Sequence, residues 1–257
     1  MTYQFIDVAC TNDVMEVSIQ RPEVLNALNI HAHAELADAF DKFANDSALN
    51  IALIRGSGER AFCVGSDLKE IAEVGSDQMP PSGFAGLTER FDFDKPVIAL
   101  VNGDAIGGGL EIILACDLAI AVDTARFGLP EPKVGLAASG GLYRLARQLP
   151  LKWAMEISLM GKLFDAATAI NIGLINEVVP RQSLENTKER YLSNLRECSP
   201  LALRATKQMI IQGLDQGSLE NAFRANYPSF QRMLVSEDAK EGVQAFAEKR
   251  KPVWKCR

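Results

Sequence analysis

The sequence predicts an α/β core followed by a helical C-terminal region. In the middle of the chain, short apolar runs alternate with helix-like segments, the order typical of α/β domains. After about Asp165, capped helices replace the strand-like runs. The 257 residues, 47% apolar and 23% charged, can bury a substantial core.

The predicted strands lie in the N-terminal half. We expect them at 5–10, 14–20, 51–55, 96–101 and 118–122. Thr11-Asn12-Asp13 forms the turn of a first hairpin, and Arg21-Pro22 ends its second strand. A helix follows, in which Leu36, Phe40 and Phe43 recur at helical spacing. Another helix is expected at 109–116.

Residues 75–86 contain three glycines and two prolines, so we expect a loop there, and a mobile one. Further along, Asp165 is a candidate N-cap and Gly173 a candidate C-terminal glycine of one short helix. Ser199-Pro200 begins another helix, and Ser236 begins the last.

Charge and cysteine content exclude several classes of protein. A net charge of −6 without a basic run argues against nucleic-acid binding. We expect no signal peptide and no membrane span. Five scattered cysteines without a C-x-x-C pair indicate a reduced, cytoplasmic compartment: Cys10, Cys63, Cys116, Cys198 and Cys256.

Two glutamates near glycines are the main candidates for chemistry. Glu111 follows the triple glycine 107–109 at a predicted helix start, where a carboxylate is stabilised by the helix dipole and amides favour anions. The helix after it is apolar nearly all round, so a buried carboxylate there needs a partner or a function. Glu131 lies in a glycine- and proline-rich turn and, alone, is more typical of a solvated loop acid.

A third glycine-marked segment, Gly65-Ser66-Asp67, lies between a strand-like run and a helix start. The only histidines, His31 and His33, belong to the first helix, and no Gly-x-Ser-x-Gly motif is present. The main-chain N–H of Ser66 is therefore more useful than its hydroxyl. No metal motif accompanies these residues.

Five segments together resemble the enoyl-CoA hydratase (crotonase) family, in its order and at its spacing, over essentially the whole chain. They are Arg21 to Leu28, Gly65 to Lys69, Gly107 to Glu111, Phe127 to Glu131 and Gly173 to Val179. The resemblance implies a spiral of strand–strand–helix units over 1–198 and a helical region over 199–257 that forms trimers, often doubled to hexamers.

The resemblance also implies the site. The amides of Ser66 and Gly108 would form an oxyanion hole for the thioester oxygen of an acyl-CoA. Glu111 would activate a water, and Glu131 would deliver a proton to Cα. The residues expected to contact CoA are Leu25, Ala27, Ser66, Asp67, Leu68, Lys69, Gly107 and Gly108. Lys69 and the basic tail 249–251 are candidate phosphate contacts, although a solvated helix end explains the tail equally well.

Two departures from the family's pattern border the implied acyl pocket. Ser66 replaces a more common alanine, and the segment 135–144 replaces a stretch that commonly ends in Gly-Gly-Thr. The predicted trimer contacts come from an apolar stripe at roughly helical spacing: Phe223, Tyr227, Phe230 and Leu234.

The resemblance therefore implies an enoyl-CoA hydratase of fatty acid β-oxidation that acts on a 2-enoyl-CoA without a permanently bound cofactor. An isomerase could manage with one carboxylate, so the retained pair favours water addition. Two alternatives stay open: an isomerase or a dehydratase of a substituted hydroxyacyl-CoA, such as carnitinyl-CoA, and a non-catalytic RNA-binding relative.

Overall fold

The computed structural model describes residues 3–75 and 78–257. Contacts divide the chain into two compact units. The first comprises Met1–Phe91 with Val97–Lys188, and the second comprises Asp92–Pro96 with Glu189–Arg257. Among the described residues, no helix is both long enough and apolar enough to cross a membrane.

The first unit contains a six-stranded sheet in the order β1, β2, β3, β5, β7, β10. These strands are Ile6–Thr11, Val14–Ile19, Ile51–Gly56, Val97–Val101, Leu118–Val122 and Glu177–Val179. β1 and β2 form an antiparallel hairpin, and every later pair is parallel. β5 is buried along its whole length, as expected for a central parallel strand.

A smaller, four-stranded sheet positions the site. Its strands, in spatial order, are β4 (Ala61–Cys63), β6 (Asp104–Ile106), β8 (Arg126–Gly128) and β9 (Phe164–Asp165). The first three are parallel, and β9 pairs antiparallel with β8. Because the carboxyl ends of parallel strands meet at one edge, the segments that follow β4, β6 and β8 come together there.

The helices of the first unit are α1 (Ile30–Asn45), α2 (Leu68–Val74), α3 (Gly108–Ala115), α4 (Leu142–Gln148), α5 (Leu151–Met160) and α6 (Ala166–Asn171). Helix α7 (Leu184–Arg196) starts in this unit and ends in the second. Side-chain caps define several starts: Oδ1 of Asn29 accepts from the Ala32 amide at 2.8 Å, and Asp165 caps α6 in the same way.

The second unit is helical in its described part, with α8 (Pro200–Leu214), α9 (Leu219–Arg224), α10 (Pro228–Leu234) and α11 (Glu237–Glu248). The hydroxyls of Ser199 and Ser236 cap α8 and α11. Asp238 is buried and accepts hydrogen bonds from the Ser199 hydroxyl at 3.0 Å and from the Lys255 amide at 2.7 Å. These bonds tie the C-terminal residues to two helix starts.

The predicted α/β class is confirmed, and so are the hairpin, the apolar strands and the capped helix starts, within one or two residues. The aromatic stripe does not lie on one helix, because Pro228 begins a new one: Phe223 lies on α9 and is 84% exposed, whereas Phe230 and Leu234 lie on α10 and Tyr227 is 5% exposed. Within the expected loop 75–86, residues 76 and 77 lie outside the described part, and Phe84–Gly86 forms a short 3-10 turn. Trimer formation by 199–257 stays a prediction.

Candidate active site

Gly107 is the joint between β6 and α3. Its φ is +58°, a conformation that favours glycine. Its amide donates to the Gly128 carbonyl at 2.9 Å, and its carbonyl accepts from the amides of Leu110 and Glu111 at 2.8 and 3.1 Å. A methyl group here would lie 2.9 Å from Oε1 of Glu131. The glycine therefore allows both the turn and the approach of a carboxylate.

The next two glycines let the start of α3 pack closely. A methyl group on Gly108 would lie 2.2 Å from Cζ of Phe84, and one on Gly109 would lie 2.0 Å from the carbonyl oxygen of Cys63. Gly108 is the first residue of α3, where amides have no acceptor within the helix and the dipole favours negative charge.

Ser66 and Leu28 form a parallel β-bridge, and the residues on either side of Ser66 make its two hydrogen bonds. The Leu28 amide donates to the Gly65 carbonyl, and the Asp67 amide donates to the Leu28 carbonyl, both at 2.8 Å. Successive amides of an extended chain point in opposite directions, so the Ser66 amide faces away from Leu28. A methyl group on Gly65 would lie 3.1 Å from the Gly108 nitrogen. The segment carrying one candidate donor thus adjoins the other donor.

Glu111 lies in the first turn of α3 and is only 6% exposed. A second glycine pair makes room for it. A methyl group on Gly140 would lie 3.0 Å from Oε2 of Glu111, and one on Gly141 would lie 3.0 Å from its Cγ. The segment 135–144, which departs from the family's pattern, therefore borders this carboxylate directly.

Glu131 begins a 3-10 turn, Glu131–Val134, shortly after β8. Its Oε2 is buried and has no hydrogen-bond partner among the described residues. Burial raises the pKa of the Glu131 carboxyl, against a smaller effect of its own backbone amide. The group is therefore suited to holding a proton and releasing it to a ligand.

Arg21 connects two segments expected to bind CoA. Its guanidinium donates to the carbonyl of Ala27 and, at 2.9 Å, to Oδ2 of Asp67. Burial is the largest single effect on Asp67 and raises the pKa of its carboxyl. The hydrogen bond and charge of Arg21, together with the amides of Glu70 and Lys69, outweigh it, so the pKa is lowered. Leu25 and Asn26 both have a φ of +57°, which turns the chain back towards Arg21. In the sequence, Arg21 is marked only as the end of a strand and the first residue of the segment Arg21 to Leu28.

The remaining candidates for CoA contact differ in their surroundings. Leu68 and Lys69, at the start of α2, are exposed. In the second unit, Arg250 is paired with Glu241 and Glu248, which raise the pKa of its guanidinium. That pairing favours the helix-end interpretation for Arg250.

Sequence reasoning missed several residues around Glu111. Thr88 accepts a hydrogen bond from the Phe84 amide at 2.7 Å, and its carbonyl accepts one from the Arg144 guanidinium. Burial lowers the pKa of Arg144, while Cys116, Glu89 and Glu111 oppose that effect. A methyl group on Gly140 would lie 3.3 Å from Oγ1 of Thr88, so these residues adjoin one another. No local pattern distinguishes Phe84 or Thr88.

The site therefore combines main-chain donors with two carboxyl groups at one edge of the small sheet. Fixed amides aimed at a carbonyl oxygen stabilise negative charge that develops on it. Carboxyl groups with different surroundings can act as acid and base in one reaction. This arrangement suits proton transfer next to an activated carbonyl.

Comparisons with known proteins agree on one family. Residues 9–257 match the family model for enoyl-CoA hydratase/isomerase. The chain is 42% identical over 254 residues to the carnitinyl-CoA dehydratase of Citrobacter koseri, covering 95% of each chain. It is 41% identical, with the same coverage, to the protein of that name from Salmonella paratyphi A.

Solved structures show the same relationship. The enoyl-CoA hydratase of Mycobacterium tuberculosis H37Rv superimposes with a TM-score of 0.91 at 35% identity, over 98% of this chain and 99% of that one. The enoyl-CoA hydratase of Bacillus anthracis gives a TM-score of 0.89 at 30% identity, over 99% and 100%. The fold expected from the resemblance is thereby confirmed, and the chain belongs to the enoyl-CoA hydratase/isomerase (crotonase) family.

Proposed function

We propose that this chain adds or removes water across the C2–C3 bond of a CoA thioester, with Glu111 and Glu131 as its proton-transfer groups. One observation carries the proposal: the Glu131 carboxylate approaches Gly107, the residue that precedes the helix carrying Glu111. Oε1 of Glu131 lies 2.9 Å from where a Gly107 methyl would be, and Glu111 lies in the first turn of α3, which begins at Gly108. Family membership supports a CoA thioester as substrate.

The proposed reaction proceeds through an enolate. The amides of Ser66 and Gly108 bind the thioester oxygen and stabilise its developing charge. In dehydration, Glu131 takes the Cα proton and Glu111 donates a proton to the departing Cβ hydroxyl; hydration is the reverse. The raised pKa of Glu131 supports its role as proton donor in hydration. Two such acids around one water titrate as a coupled pair.

For the substrate we propose a substituted hydroxyacyl-CoA of the carnitinyl kind, with a quaternary ammonium group on C4. Support comes from relatives named carnitinyl-CoA dehydratase at 41–42% identity over 95% of the chain. The second candidate is an unsubstituted 2-enoyl-CoA, favoured by structural neighbours named enoyl-CoA hydratase at 30–35% identity. The proposed CoA contacts are Leu25, Ala27, Gly107, Gly108 and the segment 66–69.

Turnover of two thioesters tests both statements. A thioester whose carbonyl is conjugated with a C2–C3 double bond absorbs light. Dehydration of carnitinyl-CoA therefore increases absorbance, and hydration of crotonyl-CoA decreases it. We expect kcat/KM to be higher for carnitinyl-CoA. The reverse order would select the second candidate. If neither thioester reacts while a 3-enoyl-CoA is isomerised, the proposed water chemistry is wrong.

A further inference from the structure

The short turn Phe84–Gly86 is held in an uncommon backbone conformation. Ala85 has a φ of +54°, between Gly83 at +76° and Gly86 at +68°. A residue with a Cβ is disfavoured in this region, so neighbouring contacts must hold Ala85 there. A methyl group on Gly86 would lie 2.5 Å from Cα of Ala37, which packs the turn against α1.

His33 of α1 provides such a contact. Its side chain is fully buried, and Nδ1 accepts a hydrogen bond from the Ala85 amide at 3.1 Å. A nitrogen that accepts carries no proton, so the neutral ring is protonated at Nε2. The imidazole also meets the Phe84 ring edge to face, with centroids 4.6 Å apart and planes at 79°. One side chain thus fixes both the backbone and the ring of this turn.

The Phe84 ring in turn lies directly against Gly108. Its Cζ would be 2.2 Å from a Gly108 methyl, and the Gly108 amide is one of the two proposed donors to the thioester oxygen. The acyl chain of such a thioester extends from its carbonyl carbon next to this ring. A shift of the turn would therefore alter the acyl site and leave the 25–27 and 66–69 segments in place.

We propose that His33 is a positioning residue: through Ala85 and Phe84 it sets the wall of the acyl site beside the Gly108 amide. The inference rests on the proposed binding of a CoA thioester but not on the reaction that follows. It predicts that a change at His33 weakens the binding of an acyl-CoA through its acyl portion and leaves the binding of free CoA unchanged.

The test compares His33→Leu with His33→Asn. Asparagine places an acceptor oxygen where Nδ1 lies, whereas leucine fills the space without one. Dissociation constants for butyryl-CoA and for free CoA are measured by calorimetry, together with KM and kcat. We expect His33→Leu to weaken butyryl-CoA binding on the order of tenfold, because a buried amide loses its acceptor. Binding of free CoA stays within about twofold, and His33→Asn restores most of the loss.

His31 offers a matched control on the same helix. It is exposed and stacks on Phe5, with ring centroids 6.1 Å apart. We expect His31→Leu and His31→Asn to bind both ligands as the wild type does. If His33→Leu does not fold, the same measurements are made on Phe84→Leu. This variant keeps the hydrogen bond from Ala85 to His33 and removes the aromatic ring beside Gly108.

The outcomes separate this inference from the proposed reaction. Unchanged butyryl-CoA binding in His33→Leu or Phe84→Leu, or an equal loss of both ligands, would overturn the role of His33 even if the wild type is an active dehydratase. An equal loss in His33→Asn would also overturn it. If the wild type converts neither proposed thioester but its butyryl-CoA affinity still depends on His33 in this way, the positioning role stands and the reaction is wrong.

Discussion

Glu111 and Glu131 are carried by supports of different kinds. Glu111 is carried by the eight-residue helix α3, is almost fully buried, and has Gly140 and Gly141 closely packed beside its side chain. Glu131 starts a four-residue 3-10 turn, and burial raises the pKa of its carboxyl. The first carboxylate is carried by a helix and packed against glycines, whereas the second lies on a short turn and has a raised pKa.

The difference matches two chemical tasks. A base that activates a water must point in one direction, and a helix with close glycine contacts provides that. An acid must hold its proton until the enolate forms, and burial without a cation achieves this by raising its pKa. Four measurements test this division, and they are ordered by the size of the expected effect.

Replacing either carboxyl should have the largest effect. We expect Glu111→Gln and Glu131→Gln each to lower kcat by about 10²–10⁴-fold with little change in KM. Exchange of the Cα protons of butyryl-CoA with D2O, followed by NMR, then separates the two roles. Exchange should persist in Glu111→Gln and disappear in Glu131→Gln. The opposite pattern would interchange the two assignments, and wild-type rates in both variants would end the two-acid mechanism.

Adding one methyl group at Gly140 should have the next largest effect. It would lie 3.0 Å from Oε2 of Glu111, so the carboxylate must move, and we expect kcat to fall by about 10–10²-fold. Gly217→Ala is a matched control, since its nearest neighbour would lie 3.9 Å away. A Gly140→Ala enzyme with normal kcat would show that Glu111 tolerates displacement and is not held rigidly.

The pH dependence of the reaction rate tests whether Glu131 is the acid in hydration. Hydration needs the protonated carboxyl, so its rate should fall as pH rises through the raised pKa; dehydration needs the carboxylate and should rise over the same range. Initial rates in both directions, each at saturating substrate, provide the measurement. A hydration rate that rises with pH through this range would contradict the assignment of Glu131 as the acid.

The smallest effect concerns stability. A carboxyl whose pKa is raised on folding is destabilising once it ionises, so wild-type stability is lost as pH rises above the ordinary pKa of glutamate. Glu131→Gln should therefore be more stable than the wild type at neutral pH, by less than about 1 kcal/mol because the group is partly exposed. Urea unfolding at two pH values measures this, and the gain should vanish in acid. A variant less stable than the wild type at pH 7 would mean that the carboxylate has a stabilising partner in the folded chain.

The fold was largely predictable because its signals are local. Apolar runs mark the central strands, and Asp165, Ser199 and Ser236 mark helix starts. Of the small sheet, the sequence indicated only the strand-like run before Gly65, because these strands have only two or three residues. The aromatic stripe failed because residue spacing ignores the helix start imposed by Pro228.

The candidate site was predictable only where glycines accompany a candidate residue. Glu111 and Glu131 stand out because each follows glycine-rich turns that the backbone requires. The contact between His33 and Ala85 joins residues 52 positions apart, and the contact between Gly140 and Glu111 also joins residues that are distant in sequence. Such contacts depend on how α1 and the 135–144 segment pack, which no single stretch of sequence encodes.

The bridge between Leu28 and Ser66 has an evolutionary consequence. It fixes the direction of a main-chain amide, and every amino acid except proline carries that N–H. A codon change at position 66, such as serine for the family's more common alanine, can therefore reshape the neighbouring pocket without deleting the donor. A proline at position 66 would remove the N–H itself.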